Sequence, residues 1–120
     1  MNKILILDDS RDMLETFRLI FEMNGDDIKT AHNRDAFQQI LGGWLPHIIL
    51  MDVFLHGEDG REICQQLKLH PHTRDIPVIL MSANPNKLKD FQDFNASGVL
   101  EKPFNISDLM LTVKSHVTAS

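Results

Sequence analysis

The sequence predicts an α/β fold, a doubly wound five-stranded parallel sheet with helices on both faces. Apolar runs of strand length alternate along the chain with stretches of helical period. Three of the runs are near-continuously aliphatic, as strands buried on both faces must be. With 120 residues, 42% of them hydrophobic and 24% charged, the chain has the material for one folded domain over residues 1–120.

The first strand is Lys3–Leu7, closed by the pair Asp8-Asp9. Ser10 is placed to cap a helix whose apolar face is Met13, Leu14, Phe17, Ile20 and Phe21, with Gly25 near its end. A second strand, Ile28–Ala31, leads to Asn33 and a helix bearing Ala36, Phe37, Ile40 and Leu41 that stops at Gly42-Gly43. The third strand is His47–Met51; Gly60 then opens a helix carrying Ile63, Cys64 and Leu67. After the fourth strand, Pro77–Met81, the segment Asn84-Pro85-Asn86 delays helix formation, and only Leu88, Phe91 and Phe94 offer an apolar face. A short or irregular, mobile fourth helix is predicted there. Gly98–Leu100 is the fifth strand, and a last helix begins near Asn105, with Asp108 as a capping partner, burying Leu109, Met110, Val113 and Val117.

Charge narrows the function classes. Twelve Lys and Arg against seventeen Asp and Glu give a net charge of −5, the wrong sign for gripping nucleic-acid phosphates or an anionic membrane. A single cysteine, Cys64, makes no internal disulfide, which suits a reducing cytoplasm. The run Ile4–Leu7 is too short for a signal-peptide core or a membrane span. Two N-glycosylation patterns, at Asn95 and Asn105, read as chance in such a protein.

Parallel sheets of this kind carry their ligand site beyond the carboxyl ends of the strands. Those ends carry Asp8 and Asp9, Asp52, Ser82, and Lys102-Pro103. Any one Asp in such a place is ordinarily a helix cap or loop residue. The set together points to chemistry. Two carboxylates about 4 Å apart repel by about 4 kcal/mol at an effective dielectric near 20, so a cation is required. Oxygen donors suit Mg²⁺ (or Mn²⁺) better than zinc, and Lys102 supplies further positive charge. A carboxylate at the end of the central strand, Asp52, can attack a phosphoryl group and form an acyl phosphate, with Ser82 donating to its oxygens.

The motifs ILILDDS, HIILMDVFLHGEDG, IPVILMSA and LEKPF together resemble the receiver domain of two-component response regulators, over essentially the whole chain. The resemblance implies a flavodoxin-like (βα)5 fold with strand order 2-1-3-4-5. It implies Asp52 as the phosphorylated residue, Asp9 as a direct Mg²⁺ ligand, Asp8 as an outer ligand acting partly through water, and the Phe54 backbone carbonyl as another ligand. Ser82 would be the switch hydroxyl, Lys102 the partner of the phosphoryl group, and Lys102-Pro103 a cis peptide. The implied partners are a sensor histidine kinase or a histidine phosphotransfer protein, and a downstream protein or output domain whose binding changes on phosphorylation. Stand-alone regulator and part of a longer regulator or hybrid kinase both fit.

The chain departs from that family at Val99, where receivers usually carry an aromatic switch residue, so that signalling here must use backbone or loop shifts. The span from Ser82 to Lys102 is slightly short, and His56 stands where proline is frequent. Phe54 and Asn84, two residues beyond Asp52 and Ser82, are positions that influence attack by water; Phe54 is expected to shield the phosphoryl group partly. His70 and His72 flank Pro71 without a third ligand and read as a solvated turn. Cys64 is expected to pack in its helix, and Trp44 to lie at the end of the sheet away from the site.

Three other readings compete with this one. A Mg²⁺-dependent aspartyl phosphotransferase or phosphatase of the haloacid dehalogenase type usually has a second Asp two residues after its nucleophile, where this chain has Phe54. A flavodoxin-like cofactor carrier needs a phosphate cradle after the first strand, where Asp8 and Asp9 would repel it. A pseudo-receiver scaffold would not need the complete phosphotransfer set. The expectation is a signalling phosphoacceptor that catalyses only its own phosphorylation and dephosphorylation.

Overall fold

A computed structural model of the chain describes residues 1–117. Its five parallel strands are β1 (Lys3–Leu7), β2 (Asp27–Ala31), β3 (Ile48–Asp52), β6 (Val78–Ser82) and β7 (Gly98–Glu101), side by side in the order β2-β1-β3-β6-β7. Counting only these five, the order is the expected 2-1-3-4-5. Between β3 and β6 lies a small antiparallel hairpin absent from the sequence expectation, β4 (Phe54–Leu55) with β5 (Glu58–Asp59). Four α-helices complete the fold: α1 (Arg11–Met23), α2 (Arg34–Leu41), α3 (Gly60–Leu67) and α4 (Ile106–His116).

The aliphatic runs become strands because alternate residues serve opposite faces. Leu5, Leu7, Ile49, Met51, Val78 and Leu80 meet Phe37 and Leu41 of α2 and Ile63, Cys64 and Leu67 of α3. Ile4, Ile6, Ile48, Leu50, Ile79 and Met81 meet Phe17 and Phe21 of α1 and Leu109 and Val113 of α4. Each such side chain, fully buried, contributes roughly 1.5–3 kcal/mol, so the two layers hold the central strand from both sides. All five residues of β3 are buried, which fixes the position of its last residue, Asp52.

Helix starts follow short polar side chains. The Ser10 hydroxyl accepts from the Met13 N–H (3.3 Å), Asn33 Oδ1 from Ala36 N–H (2.8 Å), and Asn105 Oδ1 from Asp108 N–H (2.7 Å). In α3 the cap is Asp59, whose carboxylate accepts from Arg61 N–H (2.9 Å), and Gly60 is the first helical residue. Gly60 is there for space: a Cβ at this position would collide with the Asp52 carbonyl oxygen.

Some boundaries differ from the sequence expectation. β3 and β6 each begin and end one residue later than predicted, so that Asp52 and Ser82 are the last residues of strands rather than the first beyond them. β2 starts one residue earlier and β7 ends one later. In α4, Met110 and Val117 are only partly buried, packed at the margin of the core that Leu109 and Val113 enter.

No α-helix forms between β6 and β7. Two 3₁₀ turns, Pro85–Lys87 and Phe91–Phe94, take its place, which realises the expected irregularity in a more extreme form. Pro85 offers no N–H, the Asn84 side chain caps the first turn by accepting from Asn86 N–H (3.0 Å), and Asn95 ends the second in the left-handed conformation, φ 63°. Leu88 and Ala96 are its buried anchors, with Phe91 half-buried beside them.

Trp44 lies before β3, at the end of the sheet away from the carboxyl termini of the strands, half-buried with the Lys29 ammonium 5.3 Å from its ring centre. Cys64 is fully buried, and burial pushes its thiol up to about 11, which makes it a packing residue. Among the described residues, no helix is long and apolar enough to cross a membrane.

Candidate phosphoacceptor site

The carboxyl ends of β1, β3, β6 and β7 converge on one acidic crevice. Asp8 follows β1 and is wholly buried; its two oxygens accept from Ser10 N–H (2.9 Å) and from the Lys102 ammonium (3.0 Å). Asp52 closes β3 and accepts from Phe54 N–H (3.2 Å) and from the same ammonium (3.2 Å). Lys102 follows β7 and is held by its backbone N–H to the Ser82 carbonyl (2.9 Å), so two neighbouring strands aim it between the carboxylates. The Lys102-Pro103 peptide is cis, as expected.

Asp9 completes the cluster. One carboxylate oxygen from each of Asp8, Asp9 and Asp52 lies within 4.8 Å of the others, and this is the one such group among the described residues. His70 and His72 join no group of that kind. Asp9 Oδ2 contacts His56 Nδ1 at 2.8 Å. His56 belongs to the turn of the β4–β5 hairpin, where Gly57 adopts φ 74°.

Burial pushes the Asp52 carboxyl up to about 6; the Lys102 charge opposes this and the Asp8 charge adds to it. Burial alone would lower Lys102, but its hydrogen bond to Asp8 and the two neighbouring carboxylates outweigh that and hold it above its ordinary value. Three carboxylates against one ammonium leave two negative charges uncompensated when all are ionised. The donor set is all oxygen, and that chemistry fits a hard divalent cation such as Mg²⁺.

Ser82 is buried at the end of β6, its hydroxyl accepting from Asn84 N–H (3.0 Å). A cleft of about 420 Å³ opens beside Asp52, walled by Val53, Phe54, Ala83, Asn84 and Lys87. The Phe54 ring is 73% exposed and forms a wall of the cleft beside Asp52. Val99, at the position expected to be aromatic, is half-buried and packs against the core layer that includes Phe91 and Leu88.

Sequence reasoning placed Asp8, Asp9, Asp52, Ser82 and Lys102 correctly at one end of the sheet. It missed the hairpin and with it the contact of His56 to Asp9, as well as Lys87 and Asp59 in the cleft wall. A histidine four residues after Asp52 was a visible signal, but two-residue strands carry no periodicity that would have folded it back toward Asp9.

Comparison with known proteins agrees with this geometry. The family model described as the response regulator receiver domain matches residues 4–114. The chain is 30% identical over 118 residues to the DNA-binding dual master transcriptional regulator RpaA of Synechocystis sp., covering 96% of this chain and 48% of that protein. It spans about half the length of the curated relatives it matches. Among solved structures, the signal receiver domain of a signal transduction histidine kinase from Syntrophus aciditrophicus superposes with a TM-score of 0.87 at 28% identity, covering 98% of this chain and 90% of that one. The chemotaxis protein CheY4 of Vibrio cholerae, at 24% identity and a TM-score of 0.86 over 97% of this chain and 98% of its own, shares the fold. With the acidic crevice and the sheet order pointing the same way as the family match, the chain belongs to the response regulator receiver domains of two-component systems.

Proposed function

We propose that Asp52 is the phosphoacceptor, taking a phosphoryl group from a phosphohistidine of a sensor histidine kinase or a histidine phosphotransfer protein. The observation that carries this is the placement of Asp52 at the end of the central strand, one oxygen on Lys102 and the other on Phe54 N–H, facing an open cleft. An oxygen of the Asp52 carboxylate forms the new P–O bond as the N–P bond of the donor breaks, and the imidazole keeps that electron pair and takes a proton from solvent. Lys102, already between Asp8 and Asp52, balances charge on the transferring oxygens, and the Ser82 hydroxyl, lining the same cleft at the end of the neighbouring strand, is the group that would donate to them.

Asp8, Asp9, Asp52 and the Phe54 carbonyl are the residues that would hold Mg²⁺, which when bound neutralises phosphoryl charge. Once phosphorylated, the chain is read by a downstream protein or output domain through a changed surface. With Val99 in place of an aromatic ring, that change runs through the loop after Ser82. No direct contact with nucleic acid is expected of an acidic chain, and cytoplasmic location follows from the family reading. The domain acts as a signalling phosphoacceptor and turns over no other substrate.

The test is incubation with a small acyl phosphate, with and without Mg²⁺, followed by intact mass, beside the Asp52→Asn variant. Gain of one phosphoryl group that needs both Mg²⁺ and Asp52 supports the reading. No gain under any condition refutes it and favours a scaffold role.

A further inference from the structure

The β4–β5 hairpin is built as a held platform. Phe54 pairs with Asp59 and Leu55 with Glu58, and Gly60 N–H donates to the Val53 carbonyl (2.8 Å) at its base. Glu58 is paired to Arg34 of α2 (3.0 Å), which ties the hairpin to the neighbouring helix. Gly57 supplies the positive φ that its turn requires. From this platform His56 reaches across the mouth of the crevice to Asp9, 47 residues away in sequence.

A carboxylate accepts and does not donate, so the 2.8 Å contact requires the proton of the imidazole to sit on Nδ1, directed at Asp9 Oδ2. The His56 ring is otherwise in solvent, 93% exposed, with Asp9 as its one side-chain partner among the described residues. Among the described residues Asp9 in turn is the member of the acidic cluster with no other hydrogen bond to fix it: Asp8 is tied to Ser10 and Lys102, and Asp52 to Phe54 and Lys102. The imidazole occupies Oδ2 and leaves Oδ1 without a hydrogen bond among the described residues. His56 itself lies outside the group of ligand atoms that approach within 4.8 Å of one another.

We propose that His56 is a positioning residue for the divalent cation, acting through Asp9: its Nδ1–H on Oδ2 fixes the carboxylate rotamer and leaves Oδ1 for the metal. This rests on the metal site of the proposed function. Groups that orient a ligating side chain typically change metal affinity by about 10–100-fold when removed, and an exposed contact belongs at the lower end of that range.

The experiment is calorimetric or NMR titration of the intact chain with Mg²⁺ at fixed pH for wild type, His56→Ala and His56→Asn, with circular dichroism confirming that each is folded. Asn is the informative variant because its side-chain N–H₂ stands close to where Nδ1–H stands. The expected result is about tenfold weaker Mg²⁺ binding in His56→Ala and recovery of most of that loss in His56→Asn. Wild-type affinity in His56→Ala, or loss in both variants alike, overturns the proposal. Mn²⁺ bound to the wild type adds a spectroscopic arm: directly coordinated ¹⁴N in its pulsed electron paramagnetic resonance spectrum would make His56 a ligand and overturn the positioning role, whereas its absence agrees with it. If the wild type binds no divalent cation, the metal site itself fails, which is a different outcome from equal binding by wild type and variant.

Discussion

Replacing Asp52 by Asn should make the folded chain more stable near neutral pH, although it removes the proposed phosphoacceptor. Burial and the nearby Asp8 charge raise the Asp52 carboxyl from an ordinary 3.8 to about 6 in spite of Lys102. The folded chain therefore holds that proton more tightly than the unfolded chain does. Well below pH 3.8 both states are protonated and nothing is lost; between 3.8 and about 6 the unfolded state is ionised while the folded state still holds the proton, so stability falls over that range and levels off above it. The full difference corresponds to ~3 kcal/mol at pH 7.5 and above, and this is the gain expected for Asp52→Asn, which resembles the protonated form in shape. The amide still offers an oxygen to Phe54 N–H, and Lys102 keeps Asp8. Urea unfolding of both proteins followed by circular dichroism between pH 4 and 8, with EDTA present so that no divalent cation screens the carboxylates, measures the difference directly. It should be smallest at pH 4, grow up to about pH 6 and then level off. A variant equal to or less stable than wild type at pH 7.5 refutes the claim that Asp52 is ionised at a cost.

Other substitutions probe the same crevice. Lys102→Met strips the ammonium from between Asp8 and Asp52 and should destabilise by about 3 kcal/mol at pH 8, less at pH 5 where Asp52 can take up a proton instead; urea midpoints at the two pH values check this. Gly60→Ala drives a methyl group into the Asp52 carbonyl, and a loss of about 3 kcal/mol in the same assay is expected, together with slower phosphorylation because β3 and α3 must part. Phe54→Ala removes a wall of the cleft beside Asp52, and hydrolysis of the acyl phosphate, followed by loss of mass over time, should be faster than in wild type. An unchanged rate would show that the ring does not limit access of water.

Much of this was legible in the sequence for local reasons. The strands announced themselves because their residues are buried on both faces and therefore cannot be polar, and Ser10, Asn33 and Asn105 are caps whose chemistry is contained within one helical turn. The site followed because strand ends in a parallel sheet share one edge. What stayed hidden depends on contacts between distant residues. The hairpin has only two residues per strand, the pairing of His56 with Asp9 needs that hairpin in place, and Asp59 caps α3 from within that same hairpin, with no sequence signal beyond the Gly60 that follows it. The 3₁₀ turns after β6 lie between these cases: Pro85 and the asparagines announced irregularity, but nothing local says how it is resolved.

The replacement of a helix by those two turns makes the molecule mechanically lopsided. Around β1 and β3 every displacement must disturb two packed layers, whereas the stretch from Asn84 to Asn95 is fastened mainly by Leu88 and by the partly covered rings of Phe91 and Phe94. Ser82 is the junction between the two regimes, its hydroxyl holding the first amide of the loosely fastened stretch. A pull of an ångström or so on that hydroxyl meets a stiff wall on the β3 side and little resistance on the other. Were Ser82 drawn toward a phosphoryl group on Asp52, the displacement would therefore run outward along Asn84 and its neighbours, where the packing is thinnest.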